Sequence, residues 1–403
     1  MRDIFSWKAW FFYALFAFWP TLHAMAIRRL CEKASSSSFP GAAFFAAGLS
    51  SAFLYSGLEY FRCEVWFLNC PWLALGYGQS GDLSIYQSLG IWGVFGLTFL
   101  IIFFNFSLLA FILARRIAGI IFCSLLLVWI SHYGTKKLET EVYGQQIKAL
   151  LVQDESYSFD RLLSLSKNRT DENLIIWPEN SFYIKEGESS EPYTARFSAT
   201  FKDKNFRALL PVGIKTEKDG KIKRENFAIF LDPKTMEKQI YRKMHPVPFV
   251  EKGLKKGPPP EPVKYGENNI GVQICYDLNF ENGSRILANK GARILLAPTN
   301  DPIEWTSKQQ RQHADMSSAR AVENNLWILR PATSGISQVI DNRGRIRAEM
   351  YSGESGTLSA QAQLLGGGTF YSRTGWLLPL ICLILSPFIL LWAFLPLQKR
   401  NLH

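Results

Sequence analysis

Between residues 134 and 375 the chain has a single cysteine, Cys275, and nowhere in its 403 residues is there a CxxC pair. The other five cysteines, at 31, 63, 70, 123 and 382, lie in or beside apolar segments. This distribution excludes a thioredoxin-like redox pair and a cysteine zinc site, and Cys275 cannot be half of a disulfide within its own region. A lone cysteine is compatible with an oxidising compartment without demonstrating one. The sequence also lacks any alternation of aromatic and basic residues. Its formal charge of +11 is therefore read as membrane-flanking and solvated lysines and arginines, not as a nucleic-acid groove. No metal and no diffusible cofactor is expected.

What the sequence has in abundance is apolar length. Apolar residues make up 48% of the chain, too many for one ordinary soluble domain, and they concentrate at the two ends. A bilayer-spanning helix takes about 20 mostly apolar residues. Five segments approach that length: 8–27, 39–61, 86–114, 117–133 and 376–397. The expected organisation is a membrane domain over 1–133 with about four spans, a globular domain over 134–375, and a last span with a short tail over 376–403.

Lysine and arginine in short loops stay on the cytoplasmic side. Arg28, Arg29 and Lys33 follow the first segment, Arg115 and Arg116 the third, and Lys399 and Arg400 the fifth. All three clusters agree, and place the loop 62–85 and the domain 134–375 outside the cytoplasm. The first segment reads as a span and not as a cleaved signal peptide, because no small-residue cleavage pattern follows it. The loop FRCEVWFLNCPWLALGYGQSGDLS is too short to cross twice and reads as interfacial, with Trp66, Trp72 and Tyr77 suited to the headgroup zone.

Within the globular region short β-rich runs alternate with amphipathic stretches. Strands are expected at 147–153, 173–179, 207–214, 226–232, 270–277, 292–298 and 326–332, and helices at 158–167, 279–290 and 307–324. Several strands are apolar on both faces, as in a sheet covered on both sides, which gives an α/β layered sandwich.

Polar groups at strand ends mark the site in such folds. Glu179 ends LIIWPE, Lys243 follows QIY, and Cys275 ends GVQIC. Singly, each has a bland reading, as a cap residue, a surface charge and an inert core thiol. Together they fit thiol acyl chemistry: a thiol nucleophile, a base to take its proton, and a cation for the tetrahedral oxyanion. Lys243 is also expected to lower the pKa of Cys275. His245 and His313 lie near these motifs but are not needed as base or cation. The segment 252–268, rich in Lys, Pro and Gly, reads either as a solvated loop or as a mobile lid whose lysines meet anionic headgroups.

WPEN (177–180), YRKMHPVPFVE (241–251) and VQICYD (272–277) resemble the three catalytic motifs of the nitrilase superfamily, in that family's order. LEYFR (58–62), CPWLALGYGQ (70–79), TND (299–301), ARAVENN (319–325), SGISQVID (334–341) and TFYSRTG (369–375) narrow the resemblance to bacterial apolipoprotein N-acyltransferases. The resemblance implies a nitrilase-type α-β-β-α sandwich flanked by transmembrane helices, in a multi-pass protein of the bacterial inner membrane with its catalytic domain on the periplasmic side. It implies transfer of a fatty acyl chain from a phospholipid, typically phosphatidylethanolamine, to the α-amine of the diacylglyceryl-cysteine of an apolipoprotein. Cys275 would carry the acyl-thioester, Glu179 act as general base and Lys243 stabilise the oxyanion. Glu251, Tyr276 and Asp277 would support the site, and Trp72, Asn300 and Asp301 would contact substrate.

The chain departs from that pattern in four places. The family has eight spans, and the five counted here match the last five, so three N-terminal helices are expected to be missing. Asp277 stands where the family has Glu. DESYSFDR (154–161) replaces a stretch that carries a tryptophan, whose role is not transferred to Tyr157 or Phe159. PIEWTS (302–307) replaces an aromatic and glycine run. Two other readings stay open: a membrane-tethered amidase or acyltransferase with another acceptor, and an inactive paralogue that binds lipid or lipoprotein.

Overall fold

A computed structural model of the chain describes residues 7–396, except 39, 114, 116, 168–170, 202–203 and 219–220. The chain divides into two compact units, one formed by 1–79, 92–135 and 375–403, the other by 80–91 and 136–374.

Long helices build the first unit: Trp7–Ser35, Pro40–Tyr60, Leu89–Leu113, Ile117–Glu139 and Leu377–Phe394. Among the described residues, four stretches are long and apolar enough to cross a membrane: Gly41–Val65, Leu89–Ile112, Ile117–Glu139 and Tyr371–Phe394. The expected span at 8–27 lies within the helix Trp7–Ser35 and falls partly on residues outside those described in full. The 40–60 and 377–394 helices approach closely at Gly57. A Cβ there would meet the Cys382 carbonyl oxygen at 2.4 Å, a contact only glycine permits.

After Tyr60 the chain enters a single π-turn, Phe61–Val65, then a 3₁₀ turn, Leu75–Gln79. Two buried charges order this loop. Glu59 accepts from the Leu75 N–H at 2.8 Å and the Thr98 hydroxyl at 2.6 Å. Arg62 donates to the carbonyls of Cys70 at 3.0 Å and Trp72 at 3.1 Å. Charged groups at membrane depth persist only where they are paired in this way.

Two stacked sheets make up the second unit. The strands in chain order are β1 (Gln145–Gln153), β2 (Leu174–Ile176), β3 (Phe182–Ile184), β4 (Arg207–Lys218), β5 (Lys221–Leu231), β6 (Lys238–Arg242), β7 (Val263–Tyr265), β8 (Asn268–Val272), β9 (Ala292–Leu296), β10 (Trp327–Arg330), β11 (Ser337–Ile340), β12 (Ile346–Met350) and β13 (Gly356–Leu364). One sheet has the order β13-β1-β2-β4-β5-β6, with β3 beside β4, and the other has the order β12-β11-β10-β9-β8-β7.

Side chains alternate across a strand, and that alternation produces the layers. Ala149 and Leu151 of β1 point between the sheets, where they join Ile270, Val272, Ile294, Leu296 and Leu329. Leu150 and Val152 point outward against Phe159 and Leu162 of helix Phe159–Lys167 and Phe197 and Phe201 of helix Glu191–Phe201. On the far side, Leu295 and Ile328 pack under Leu287 and Ala321 of the Glu281–Asn289 and Ser307–Asn324 helices. The result is the expected α-β-β-α sandwich.

The seven expected strands and three expected helices are all present. Several boundaries move: the run 173–179 is strand only over Leu174–Ile176, β4 runs on to Lys218 and β5 starts at Lys221, and the run 270–277 is strand only to Val272, after which Cys275 opens a 3₁₀ turn, Cys275–Asn279, with φ of +51°. Strands β3, β6, β7, β11, β12 and β13 and the helix Glu191–Phe201 lie outside the expected elements.

Candidate active site

Four chain segments leaving the sheets supply the site. After β2, Trp177 anchors the exit by donating its indole N–H to Ser166 Oγ at 2.8 Å, and two residues later Glu179 lies almost wholly buried. Lys243 directly follows β6, and its N–H pairs with the Asn226 carbonyl at 3.0 Å as a continuation of the β5–β6 ladder. Cys275 follows β8 on its left-handed backbone, with its N–H on the Pro298 carbonyl at 2.9 Å. Such a backbone is unusual for a non-glycine residue and recurs at functional sites. Asn300 follows β9.

These segments bring Glu179, Lys243 and Cys275 together. Lys243 Nζ lies 2.8 Å from Glu179 Oε1 and 2.9 Å from Glu251. Glu179 Oε1 also accepts from Asn226 Nδ2 at 2.7 Å, and Oε2 accepts the Asn300 N–H at 2.8 Å. The Cys275 thiol donates to the Asn300 carbonyl oxygen, 3.9 Å from Sγ, so Asn300 links Cys275 to Glu179.

Burial dominates the electrostatics. It pushes the Cys275 thiol well above the ordinary cysteine range; the Glu179 carboxylate adds to this, and Lys243 opposes it. Lys243 lowers the Cys275 pKa as expected, but burial and the Glu179 charge outweigh its pull, and Cys275 rests as a thiol. Burial, and then Glu251, also lift Glu179 above its ordinary value against the pull of Lys243. For Lys243 itself, burial works against the charge, but Glu179, Cys275 and Glu251 overcome it and hold the ammonium protonated.

The supporting residues divide. Glu251 accepts from Lys243 and from the Val247 N–H at 2.7 Å. Asp277 is fully buried and accepts from the N–H groups of Met244 and His245, so it binds the Lys243 segment to the Cys275 turn. Tyr276 is buried edge-on against Phe280, with ring centroids 5.2 Å apart. Asn300 reaches both Glu179 and Cys275. Asp301 instead forms a buried cluster with His313 Nδ1 at 2.6 Å and Arg330 Nη2 at 2.7 Å, so it anchors the segment behind Asn300. Trp72 belongs to the helical unit, where its carbonyl accepts from Arg62.

Two contributors escaped sequence reading. Asn226 is delivered to Glu179 from β5. Tyr157, whose stretch matched no family pattern, donates its hydroxyl to Asn300 Oδ1 at 3.3 Å from a backbone with φ of +51°. The first part of 252–268 is a largely exposed loop tied to its neighbours by backbone hydrogen bonds. Gly253 and Lys255 pair with the Arg224 backbone at 3.0 Å, the Arg224 guanidinium holds the Val250 carbonyl at 2.9 Å, and the Gly257 N–H holds the Lys243 carbonyl at 2.8 Å. Among the described residues no cluster of His, Cys, Asp and Glu could hold a metal ion.

A family model described as carbon-nitrogen hydrolase matches residues 142–367, more than half the chain, which sets the class of the globular unit. A second, described as the apolipoprotein N-acyltransferase N-terminal domain, matches residues 1–107. The chain belongs to the apolipoprotein N-acyltransferase family of carbon-nitrogen hydrolases, and is a membrane acyltransferase. The apolipoprotein N-acyltransferase of Geobacter metallireducens is 29% identical over 435 residues, covering 96% of this chain and 79% of the relative. That of Nitrosomonas europaea is 25% identical, covering 80% and 70%. A crystal structure of a carbon-nitrogen hydrolase from Helicobacter pylori is similar over 54% of this chain and 89% of that one, at 22% identity and a TM-score of 0.45.

Proposed function

We propose that this acyltransferase moves a fatty acyl chain from a glycerophospholipid to the α-amine of the diacylglyceryl-cysteine of apolipoproteins, through a thioester on Cys275. The observation that carries the reading is the burial of Glu179, Lys243 and Cys275 in one hydrogen-bonded cluster, in a chain with membrane-type helices on both sides of its catalytic domain.

Cys275 is a thiol at rest, so deprotonation accompanies attack. The sulfur adds to the ester carbonyl of the phospholipid while Glu179 takes the thiol proton. The negative charge that develops on the carbonyl oxygen meets the Lys243 ammonium, which is pre-positioned by two carboxylates. Collapse breaks the ester bond; the lysophospholipid oxygen leaves with the proton from Glu179, and the acyl group remains on sulfur. The acceptor amine then attacks the thioester. Glu179 takes a proton from the nitrogen, the amide forms, and the Cys275 thiol is regenerated. Asn300 and Asn226 hold both oxygens of Glu179 facing the thiol, and Glu251 keeps Lys243 in place.

Retention of Arg28, Arg29, Lys33, Arg115 and Arg116 on the cytoplasmic side would put the catalytic domain on the periplasmic face of the inner membrane, where Trp72 and Asn300 would meet lipid and acceptor. Complementation of a strain depleted of its own N-acyltransferase, with Cys275→Ala as control, tests the reading. The intact chain is expected to restore triacylated lipoproteins, and mass spectrometry of membranes incubated with phospholipid to find an acyl adduct on Cys275. An expressed, membrane-inserted chain that restores none and carries no lipid-derived adduct would sink it, and would point to an amidase or a binding protein.

A further inference from the structure

Asp277 is the most heavily engaged carboxylate of the site, and it touches none of the reacting groups directly. It accepts from the Tyr241 hydroxyl at 2.8 Å, the Met244 N–H at 3.0 Å, the His245 N–H at 2.7 Å, the Ile274 N–H at 3.2 Å, and the His245 ring at Nδ1, 3.0 Å away. Four of these donors come from the segment 241–245 that carries Lys243, and one from the residue immediately before Cys275. A single buried carboxylate therefore fixes the distance between the cation and the nucleophile. Its aspartyl side chain is short, so the donors must come to it. Tyr241 does so from β6, and its hydroxyl stays protonated because burial, and then the Asp277 charge, push its pKa well above the usual tyrosine value. His245 does so from a ring stacked on Phe280, with centroids 4.1 Å apart and planes 20° apart.

We infer that Tyr241 and His245 are positioning residues for acyl transfer: through Asp277 they set the placement of Lys243 relative to Cys275. The inference rests on the roles proposed above for those two residues. Backbone N–H groups of Met244 and His245 on Oδ1 and of Ile274 on Oδ2 seat the carboxylate, and the two side-chain donors, one on each oxygen, complete its shell and tie it to β6 and to the ring stacked on Phe280.

The test uses the full chain in detergent with phosphatidylethanolamine as acyl donor, and measures thioester formation on Cys275 by mass spectrometry, per folded molecule. Tyr241→Phe and His245→Leu are each expected to slow thioester formation on the order of tenfold, the scale of one lost hydrogen bond to a charged group, with KM for phospholipid unchanged. His245→Asn, which keeps an N–H donor near the Nδ1 position, is expected to recover most of the rate. Wild-type rates in both Tyr241→Phe and His245→Leu, or an Asn variant no better than Leu, would overturn the inference. If His245→Leu does not fold, Tyr241→Phe, which loses only an oxygen, still decides. Cys275→Ala separates the two levels: an active Cys275→Ala refutes the thioester reading itself, whereas an inactive one beside fully active Tyr241→Phe and His245→Leu refutes only this inference.

Discussion

Lys243 and Glu179 meet at 2.8 Å with side chains 1% and 2% exposed, so the ion pair at the centre of the site has almost no water to screen it. Removing one partner of such a pair strands the other charge. Lys243→Met leaves Glu179 and Glu251 facing each other without a cation, and should lose acyl transfer together with about 3–5 kcal/mol of stability. Denaturant unfolding in detergent, alongside activity, checks this. A Lys243→Met protein as stable as wild type would contradict the geometry.

In the proposed mechanism Glu179 acts as a base only when ionised, and burial lifts its pKa above the ordinary carboxylate value. Activity should therefore fall with decreasing pH at a higher pH than for an exposed glutamate. The thiol has the opposite sensitivity to this residue, because the Glu179 charge is one of the causes that raise its pKa. Glu179→Gln should then abolish acyl transfer while speeding alkylation of Cys275 by iodoacetamide at fixed pH. Slower alkylation in that variant would show that Glu179 assists thiolate formation at rest.

Asp301 is held by His313 and Arg330. His313 and Arg330 outweigh burial and depress its pKa to about 2. Because the folded value lies below the unfolded one of about 3.9, the contribution is complete above pH ~4 and disappears as pH falls through about 2. Asp301→Asn should lower the melting temperature at neutral pH, by stranding Arg330, and the gap to wild type should close toward pH 2. A gap independent of pH would mean that the Asp301 charge does not contribute.

Gly257 donates its N–H to Lys243, and a Cβ there would meet the Arg242 carbonyl oxygen at 2.2 Å. Gly257→Ala must push the segment 250–257 away from β6 and with it Glu251. The expected outcome is a fall in kcat on the order of tenfold or more, the scale of a displaced catalytic contact, with full-length protein still folded by circular dichroism. Unchanged kcat would show that the segment tolerates displacement.

The clustering of Glu179, Lys243 and Cys275 was legible because each ends or follows an apolar run whose period gives away the strand, and because three motifs fall in a recognisable order. Asn226 and Tyr241 were not legible, because their role is set by register. Phe227 pairs with Arg242, which puts Asn226 beside Lys243, and no local pattern encodes that neighbour. Strands β12 and β13 do carry a period-2 pattern: Ile346, Ala348 and Met350 alternate with Arg347 and Glu349, and Leu358, Ala360, Ala362 and Leu364 alternate with polar residues, so both were legible as half-buried strands although the expected set omits them. Tyr157 fell in a stretch without a family pattern, and only its hydrogen bond to Asn300 reveals it.

The strands that open and close the catalytic domain lie side by side: β1 and β13 run antiparallel, with Gln145 opposite Leu364 and Gln153 opposite Gly356. The chain enters and leaves the domain at the same end of one ladder. Tension applied through the two flanking segments would load that ladder from Gln145–Leu364 inward, one pair at a time, which is the mechanically weak unzipping direction, not simultaneous shear. Peeling would have to pass Ile147, Ala149 and Leu151, with Ala362 and Leu364 opposite, before it reached the rest of the core between the sheets. A stretched molecule should therefore yield first at this seam, while β2 to β6 and the Cys275 turn are still intact.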